Sequence, residues 1–162
     1  MNLIRAEAKA KYLIKEFGPF TDQIEIVGNI RRRKQAIEKI VILLAPKGAL
    51  LFKLMAKFSE WGCEDGMRAA SKKVILLKDE LEEIRAEFYF TTPEKWPIML
   101  FLKTGGNKSI QRIATLCSNK KWELSVSDAT IFDENGKKLL IEKEEDISKL
   151  LGIPYITPDW RE

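Results

Sequence analysis

The sequence predicts an α/β (α+β) fold built from two consecutive lobes. Several segments repeat apolar residues at helical spacing, and short apolar runs with the composition of strands lie between them. The composition changes where a Thr-Thr-Pro sequence ends at Pro93, and Pro97 follows soon afterwards, so a lobe boundary is predicted near residue 93. The 162 residues, 45% of them apolar, are enough to bury a substantial core and argue against disorder.

The first lobe begins with a predicted helix. Apolar residues fall on one helical stripe, and the Gly-Pro pair at residues 18–19 ends the pattern. The stripe consists of Leu3, Ala6, Ala10, Leu13, Ile14 and Phe17. A short strand at residues 24–27 follows, then a turn that starts at Gly28, and then a strand at residues 37–44. This second strand is continuously apolar, which predicts burial on both of its faces.

A helix at residues 50–61 and two more strands complete the first lobe. The helix has an apolar stripe and is ended by Gly62, and we expect it to cover the sheet. The strands lie at residues 74–77 and 84–90, on either side of an acidic stretch at residues 79–83. Alternation along the last strand separates an apolar face from a polar one. The apolar face carries Ile84, Ala86, Phe88 and Phe90, and the polar face carries Arg85, Glu87 and Tyr89.

The second lobe is predicted to contain two helices with a hairpin between them. Residues 108–119 and 144–151 have helical patterns, and Gly152 ends the later helix. Residues 129–132 and 137–141 are predicted to be strands, because the turn between them contains an Asn-Gly pair that readily supplies positive φ.

Composition limits the chemistry open to the chain. It has no histidine, and its two cysteines, Cys63 and Cys117, lie outside any Cys-x-x-Cys sequence. Zinc sites and nucleophiles activated by histidine are therefore not expected, and both thiols are predicted to be reduced packing residues. The net charge of +4 is modest, so affinity for polyanions has to come from local clusters. No apolar run resembles a membrane span or a secretion signal, which predicts an intracellular protein, cytoplasmic or nucleoid-associated and without a membrane partner.

Three blocks of sequence, in a fixed order, carry a family resemblance. The first is Gly-Asn-Ile-Arg-Arg-Arg-Lys at residues 28–34. The second is Glu-Phe-Tyr-Phe-Thr-Thr-Pro-Glu at residues 87–94, followed by Thr-Gly-Gly at residues 104–106. The third is the segment at residues 147–162, which contains Leu-Gly-Ile-Pro-Tyr, a later proline and Arg-Glu. Together these blocks resemble the family X DNA polymerases, the polymerase beta-like nucleotidyltransferases.

This resemblance implies a nucleotidyltransferase palm at residues 1–92, with a mixed sheet and flanking helices, and a small α+β nucleotide-binding lobe at residues 93–162. It implies a minimal form of the family, without the helix-hairpin-helix lobes that many members carry before the palm. The implied partners are DNA, whether gapped, nicked or duplex, a dNTP as a possible second ligand, and a possible protein partner.

The chain departs from the family where two divalent metal ions would be bound. In the family, two aspartates on one strand and a third on a neighbouring strand hold these ions, and the corresponding residues here are Lys39, Val41 and Glu87. Alternation points Glu38 to the other face. A unit charge about 4 Å from a divalent ion interacts by roughly 8 kcal/mol at an effective dielectric constant near 20, so an ammonium in place of a carboxylate disfavours the ion by roughly 16 kcal/mol. No metal cofactor is expected, and Mg²⁺ only if the chain is an active enzyme.

The backbone framework and the cations of the three blocks define a candidate site for phosphate, nucleotide or DNA. Its residues are Gly28, Asn29, Arg31, Arg32, Lys34, Lys39, Thr104, Gly105, Gly106, Lys108 and Arg112. Turn amides and guanidinium groups suit phosphate oxygens, although a solvated basic turn has the same sequence. The asparagine that contacts the nucleotide in the family and the arginine near the template fall on Ile110 and Ala114, so the resemblance does not extend to nucleotide selection.

Several of these residues have two interpretations. Lys39 either neutralises a bound phosphate in place of a metal ion or is a lysine tolerated after catalysis was lost, and the second is the expectation. Glu87 is either a remnant metal ligand or the partner of Lys39 in an ion pair between adjacent strands, which we favour. The tryptophans either stack on bases or pack in the core, and packing is the expectation. The residues meant are Trp96, Trp122 and Trp160, three of the four tryptophans of the chain.

The sequence leaves three functions open. The favoured one is a polymerase beta-like protein that has lost nucleotidyl transfer and binds DNA or nucleotide phosphates. The second is an active DNA nucleotidyltransferase with atypical metal use. The third is a protein-interaction module or decoy of a DNA repair or replication complex.

Overall fold

A computed structural model describes residues 1–63, 71–78 and 82–162. It divides into two compact units, Met1–Pro93 and Glu94–Glu162. Most of the acidic stretch predicted at residues 79–83 lies outside the described residues, which resume at Glu82. None of the described helices combines the length and the apolar character that crossing a membrane requires.

The first unit is organised around a four-stranded sheet in the order β1-β2-β4-β3. Its strands are β1 (Thr21–Val27), β2 (Lys39–Pro46), β3 (Lys72–Lys78) and β4 (Glu83–Phe90). Strand β2 pairs antiparallel with β1 and parallel with β4, and β3 pairs antiparallel with β4. The predicted mixed sheet is therefore confirmed, and β4 lies between two other strands.

Two helices pack on one face of this sheet. They are α1 (Leu3–Phe17) and α3 (Leu51–Glu60), and the Asn2 side chain caps α1 by accepting a hydrogen bond from the backbone of Arg5. Phe17 of α1 and Phe58 of α3 meet Phe88 of β4, with ring centroids 4.9 Å and 5.0 Å from the Phe88 ring. Helix α3 covers the sheet as predicted, and α1 packs on the same face.

Strand β2 is buried on both faces. Ile40, Ile42 and Leu44 join the core under the helices, while Val41 and Leu43 are buried on the opposite face. The continuous apolar run predicted this, because a strand with one wet face would alternate polar and apolar residues. Between β1 and β2, residues Gly28–Arg31 form the single helical turn α2.

The second unit has its own core. Its helices are α4 (Trp96–Thr104), α5 (Asn107–Asn119) and α6 (Glu144–Leu151), and its two short strands β5 (Glu123–Ser125) and β6 (Thr130–Phe132) pair antiparallel. Ile98, Ile113, Ile131 and Ile147 are among the buried residues that these elements bring together. Cys117 lies in this core and Cys63 in the core of the first unit, both as free thiols, and burial raises the pKa of Cys117.

Two expectations for the second unit are wrong. The sequence pattern predicts two helices, and the structure has a third, α4, which is buried on nearly all sides and so has no apolar stripe to signal it. The hairpin is also different: β6 pairs with β5, and residues 137–141 form only an isolated bridge between Phe132 and Lys138. The turn itself is present, with Gly136 at a φ of 75°, but the segment after it is largely exposed and forms no strand.

Candidate functional site

Glu87 lies at the centre of a polar cluster on the sheet face opposite the helices. Its side chain is only 4% exposed. One carboxylate oxygen accepts hydrogen bonds from Lys39 Nζ at 3.0 Å and from the Tyr89 hydroxyl at 3.1 Å. The other oxygen lies 3.0 Å from Lys72 Nζ and 3.1 Å from Arg85 Nε. We call these five residues the Glu87 cluster.

The register of the sheet explains why these side chains meet. Val41 of β2 and Val74 of β3 lie directly beside Glu87. The four donors stand two residues away from these central positions, on β2, β3 and β4, and a spacing of two keeps a strand residue on the same face. The predicted ion pair between Lys39 and Glu87 is confirmed, and it is diagonal rather than directly across the strands.

Opposing effects set the ionisation of Glu87. Burial raises the pKa of its carboxyl group, but hydrogen bonds from Lys72 and Lys39 outweigh this and lower the pKa to about 2. For Lys72 the directions are opposite. Burial lowers its pKa, but its hydrogen bonds with Glu87 and Tyr89 outweigh this and raise that pKa above its ordinary value. Glu87 is therefore a carboxylate and Lys72 an ammonium at neutral pH.

Two arginines of the basic turn at residues 28–34 already have partners within the protein. Arg31 Nε lies 3.2 Å from a carboxylate oxygen of Glu25, and the guanidinium of Arg32 donates a hydrogen bond to the side chain of Asn29. Gly28 has a φ of 66°, and Arg33, where the family resemblance expects glycine, adopts a φ of 57°. The side chain of Lys34 is half-buried. The turn thus combines backbone geometry that suits glycine with two arginines that already have protein partners.

The remaining candidate residues lie in the second unit, before and in the first turns of α5. Thr104 is buried, and the amide of Gly105 donates to the carbonyl of Phe101 at 2.8 Å. Gly106 is the N-cap residue of α5. Lys108 and Arg112, four residues apart on the exposed side of this helix, line an open groove of about 380 Å³. Lys108 also forms an ion pair with Glu162 at 3.6 Å.

The three tryptophans considered for base stacking differ in burial. Trp96 is buried and Trp122 packs against the core of the second unit, as expected. Trp160 is 78% exposed, so the expectation that it packs in the core is wrong. It lines the same groove as Lys108 and Arg112, because it belongs to a short helical turn, Pro158–Trp160, that holds its side chain at the surface.

The segment after α6 is anchored by a buried ion pair. The guanidinium of Arg161 donates to Glu144, and its Nε donates to the carbonyl of Ile156 at 2.9 Å. The guanidinium also lies 5.2 Å from the ring of Phe101, and Tyr155 donates to the other oxygen of Glu144 at 3.1 Å. The Arg and Tyr of the third resembling block therefore stabilise the second unit from inside.

Sequence reasoning missed three members of the Glu87 cluster. Alternation along the strand predicts that Arg85 and Tyr89 share the face of Glu87, but it does not predict their contacts with it. Lys72 was missed because the strand was predicted to begin at Val74, two residues after the true start of β3. Extending that strand by two residues puts Lys72 on the same face as Val74, but only the pairing of β3 with β4 sets it beside Tyr89.

Comparisons with known proteins agree with this architecture. The family model for the DNA polymerase beta thumb matches residues 99–162. The sequence finds no match among curated proteins. Among solved structures, the chain is similar to Leishmania infantum polymerase beta in a ternary P/T complex, with a TM-score of 0.79 and 15% identity over 100% of this chain and 76% of that one. The chain therefore has a family X polymerase-like fold, and its second unit contains a segment that matches the polymerase beta thumb.

Proposed function

We propose that this protein is a polymerase beta-like nucleic-acid-binding protein that has lost nucleotidyl transfer. The observation that carries the proposal is the environment of Glu87. Both of its oxygens already have hydrogen-bond or ion-pair partners, and three of the four partners are cations. A carboxylate saturated in this way is the centre of an ion-pair network, which leaves it little capacity to bind a divalent ion.

The donor set does not fit the two metal ions that the fold family implies. Magnesium takes oxygen ligands in near-octahedral geometry. At the three corresponding positions the chain offers one carboxylate, the aliphatic Val41 and the ammonium of Lys39, which repels a cation. Among the residues that the structure describes, no three His, Cys, Asp or Glu side chains come together. The proposed function therefore contains no step through a metal ion.

Binding is proposed to be electrostatic and independent of base sequence. Cations for phosphate contacts are exposed in each unit, with Lys39 48% and Lys108 82% exposed. One solved structure with this fold, Leishmania infantum polymerase beta, is a ternary P/T complex, which supports DNA as the class of ligand. Each phosphate contact releases bound counterions, so the affinity should fall steeply as salt rises.

One titration separates binding from catalysis. Labelled gapped, nicked and intact DNA duplexes are mixed with the protein, with and without Mg²⁺ and dNTPs, and both complex formation and primer extension are measured. We expect complexes that form without Mg²⁺ and weaken with salt, and no extension with Mg²⁺ or Mn²⁺.

Two results would overturn the proposal. Primer extension that is lost in Glu87→Ala would show that the carboxylate still serves catalysis. Failure to bind any of the three duplexes, at low salt and with the protein folded, would remove nucleic acid as the ligand and favour a protein-interaction role.

A further inference from the structure

The Glu87 cluster carries more positive charge than its carboxylate neutralises. Lys39, Lys72 and Arg85 all lie within 3.1 Å of a Glu87 oxygen. One negative charge against three positive charges leaves a local excess of two. An excess of this size, concentrated beside one buried carboxylate, favours an anion at the surface of the cluster.

The cations remain accessible although the carboxylate does not. The Glu87 side chain is 4% exposed, whereas those of Lys39, Lys72 and Arg85 are 48%, 33% and 52% exposed. An ammonium has three N–H donors and a guanidinium five, so the hydrogen bonds to Glu87 occupy only part of their capacity. Glu87 thus fixes the positions of the cations from its buried side, and their solvent-exposed side can still donate hydrogen bonds to a ligand.

We infer that the Glu87 cluster is a metal-independent binding site for a phosphate group. Lys39, Lys72 and Arg85 contact its oxygens, and Glu87 is a positioning residue that orients these cations without touching the ligand. Charge-assisted hydrogen bonds from lysine and arginine are the strong form of phosphate recognition in proteins. The phosphate belongs either to a nucleic-acid backbone or to a nucleoside triphosphate, and only this identification of the source rests on the proposed function.

At this site Mg²⁺ should weaken phosphate binding, whereas at a metal-dependent site it is required for binding. In a site where metal ions hold the phosphate, removing Mg²⁺ abolishes binding. Here the protein's cations and Mg²⁺ compete for the same phosphate oxygens, so binding should persist in EDTA and weaken when Mg²⁺ is added.

The test is calorimetric titration of the full chain with inorganic tripolyphosphate, with dATP and with a short DNA duplex, each in EDTA and in Mg²⁺. Lys39→Met should lower the affinity by about tenfold, the loss typical of one hydrogen bond to a charged group. The matched control is Lys78→Met, which removes the same charge from β3 at a side chain that is 73% exposed and paired with Glu83. We expect the control to bind like the wild type.

Glu87→Gln supplies a second and opposite expectation. If the three cations bind the phosphate directly, Glu87→Gln loosens their positions but also removes the opposing negative charge, so binding in EDTA should persist in any variant that remains folded by circular dichroism. If Glu87 binds a metal that holds the phosphate, the same substitution should abolish binding. Lys39→Met leaves two cations on Glu87 and tests the site even if Glu87→Gln does not fold.

The outcomes distinguish this inference from the proposed function. Absence of binding by all three probes in EDTA, a requirement for Mg²⁺, or equal losses in Lys39→Met and Lys78→Met would overturn the phosphate site. Binding of all three probes that Lys39→Met leaves unchanged would also overturn it, while the proposed function would stand. Preference for tripolyphosphate and dATP would identify a triphosphate, and preference for the duplex would identify the nucleic-acid backbone.

Discussion

Glu87 receives hydrogen bonds from residues on three neighbouring strands, and this arrangement governs its protonation. Lys39 of β2, Lys72 of β3 and Tyr89 of β4 donate to the carboxylate, and Arg85 of β4 forms an ion pair with it at 3.1 Å. Their attraction exceeds the cost of burying the charge, so the pKa of Glu87 lies at about 2 instead of 4.5. The folded state is therefore stabilised by the ionised form, and protonation of this one residue should weaken the sheet.

The pH dependence of stability tests this account. Because the pKa of Glu87 is lowered from 4.5 to about 2 on folding, its contribution is present above pH 4.5 and is lost as the pH falls towards 2. The shift corresponds to about 3 kcal/mol. Between about pH 5 and about pH 2.5, urea unfolding should show the wild type losing more stability than Glu87→Gln. Glu83→Gln, at an exposed ion pair, is the control, and it should follow the wild type.

A wild type that parallels Glu87→Gln across this range would contradict the lowered pKa. It would also mean that the four donors hold the carboxylate too weakly to fix the cations of the cluster.

At the scale of elements, the sequence predicts best those segments whose pattern has only one structural solution. The stripe of α1 and the continuous apolar run of β2 are of this kind, and both are confirmed. Helix α4 lacks a stripe because it is buried nearly all round. The start of β3 was placed too late because Lys72 and Lys73 look like loop residues in the sequence.

The late predicted start of β3 leaves Lys72 out of the predicted candidate site. The positions of Lys39 and Glu87 follow from alternation along two predicted strands, and their pairing was anticipated. The contribution of Lys72 depends on the pairing of β3 with β4, which no local pattern contains. Likewise, the exposure of Trp160 depends on the short turn in which it lies, whereas residue type alone favours packing.

The end of α6 provides a test of how a single residue stops a helix. Gly152 follows α6 with a φ of 70°, and no atom lies within 4 Å of the position that a Cβ would take. Gly152→Ala should therefore meet no steric clash and lose only conformational energy, about 1 kcal/mol. Gly48→Ala is the matched control, since Gly48 has equal space and no positive φ, and it should be neutral or slightly stabilising.

Thermal unfolding of both variants measures this difference. Equal stability of the two variants would show that the backbone after α6 adapts to a side chain and that glycine is not required there.

At the scale of the whole molecule, positive and negative charges nearly balance, so any strong positive potential is confined to local groups of cations. The net charge of +4 is the difference between 28 basic and 24 acidic residues, so most cations have acids elsewhere to balance them. Several are paired directly, as Lys57 is with Glu16 and Lys149 with Asp146. Affinity for a polyanion should therefore depend on which cations contact phosphates, and much less on the total charge.

The salt dependence of DNA binding distinguishes these two possibilities. Each phosphate contact contributes about 0.9 to the slope of log affinity against log salt concentration. Arg112→Met should therefore reduce the slope by about 0.9 if Arg112 contacts a phosphate from the exposed side of α5. Lys149→Met changes the net charge equally, at a side chain that is 73% exposed on α6 and paired with Asp146, and it should leave the slope unchanged. Equal changes in both variants would mean that binding responds to total charge, and Arg112 would then lose its place among the phosphate-binding residues.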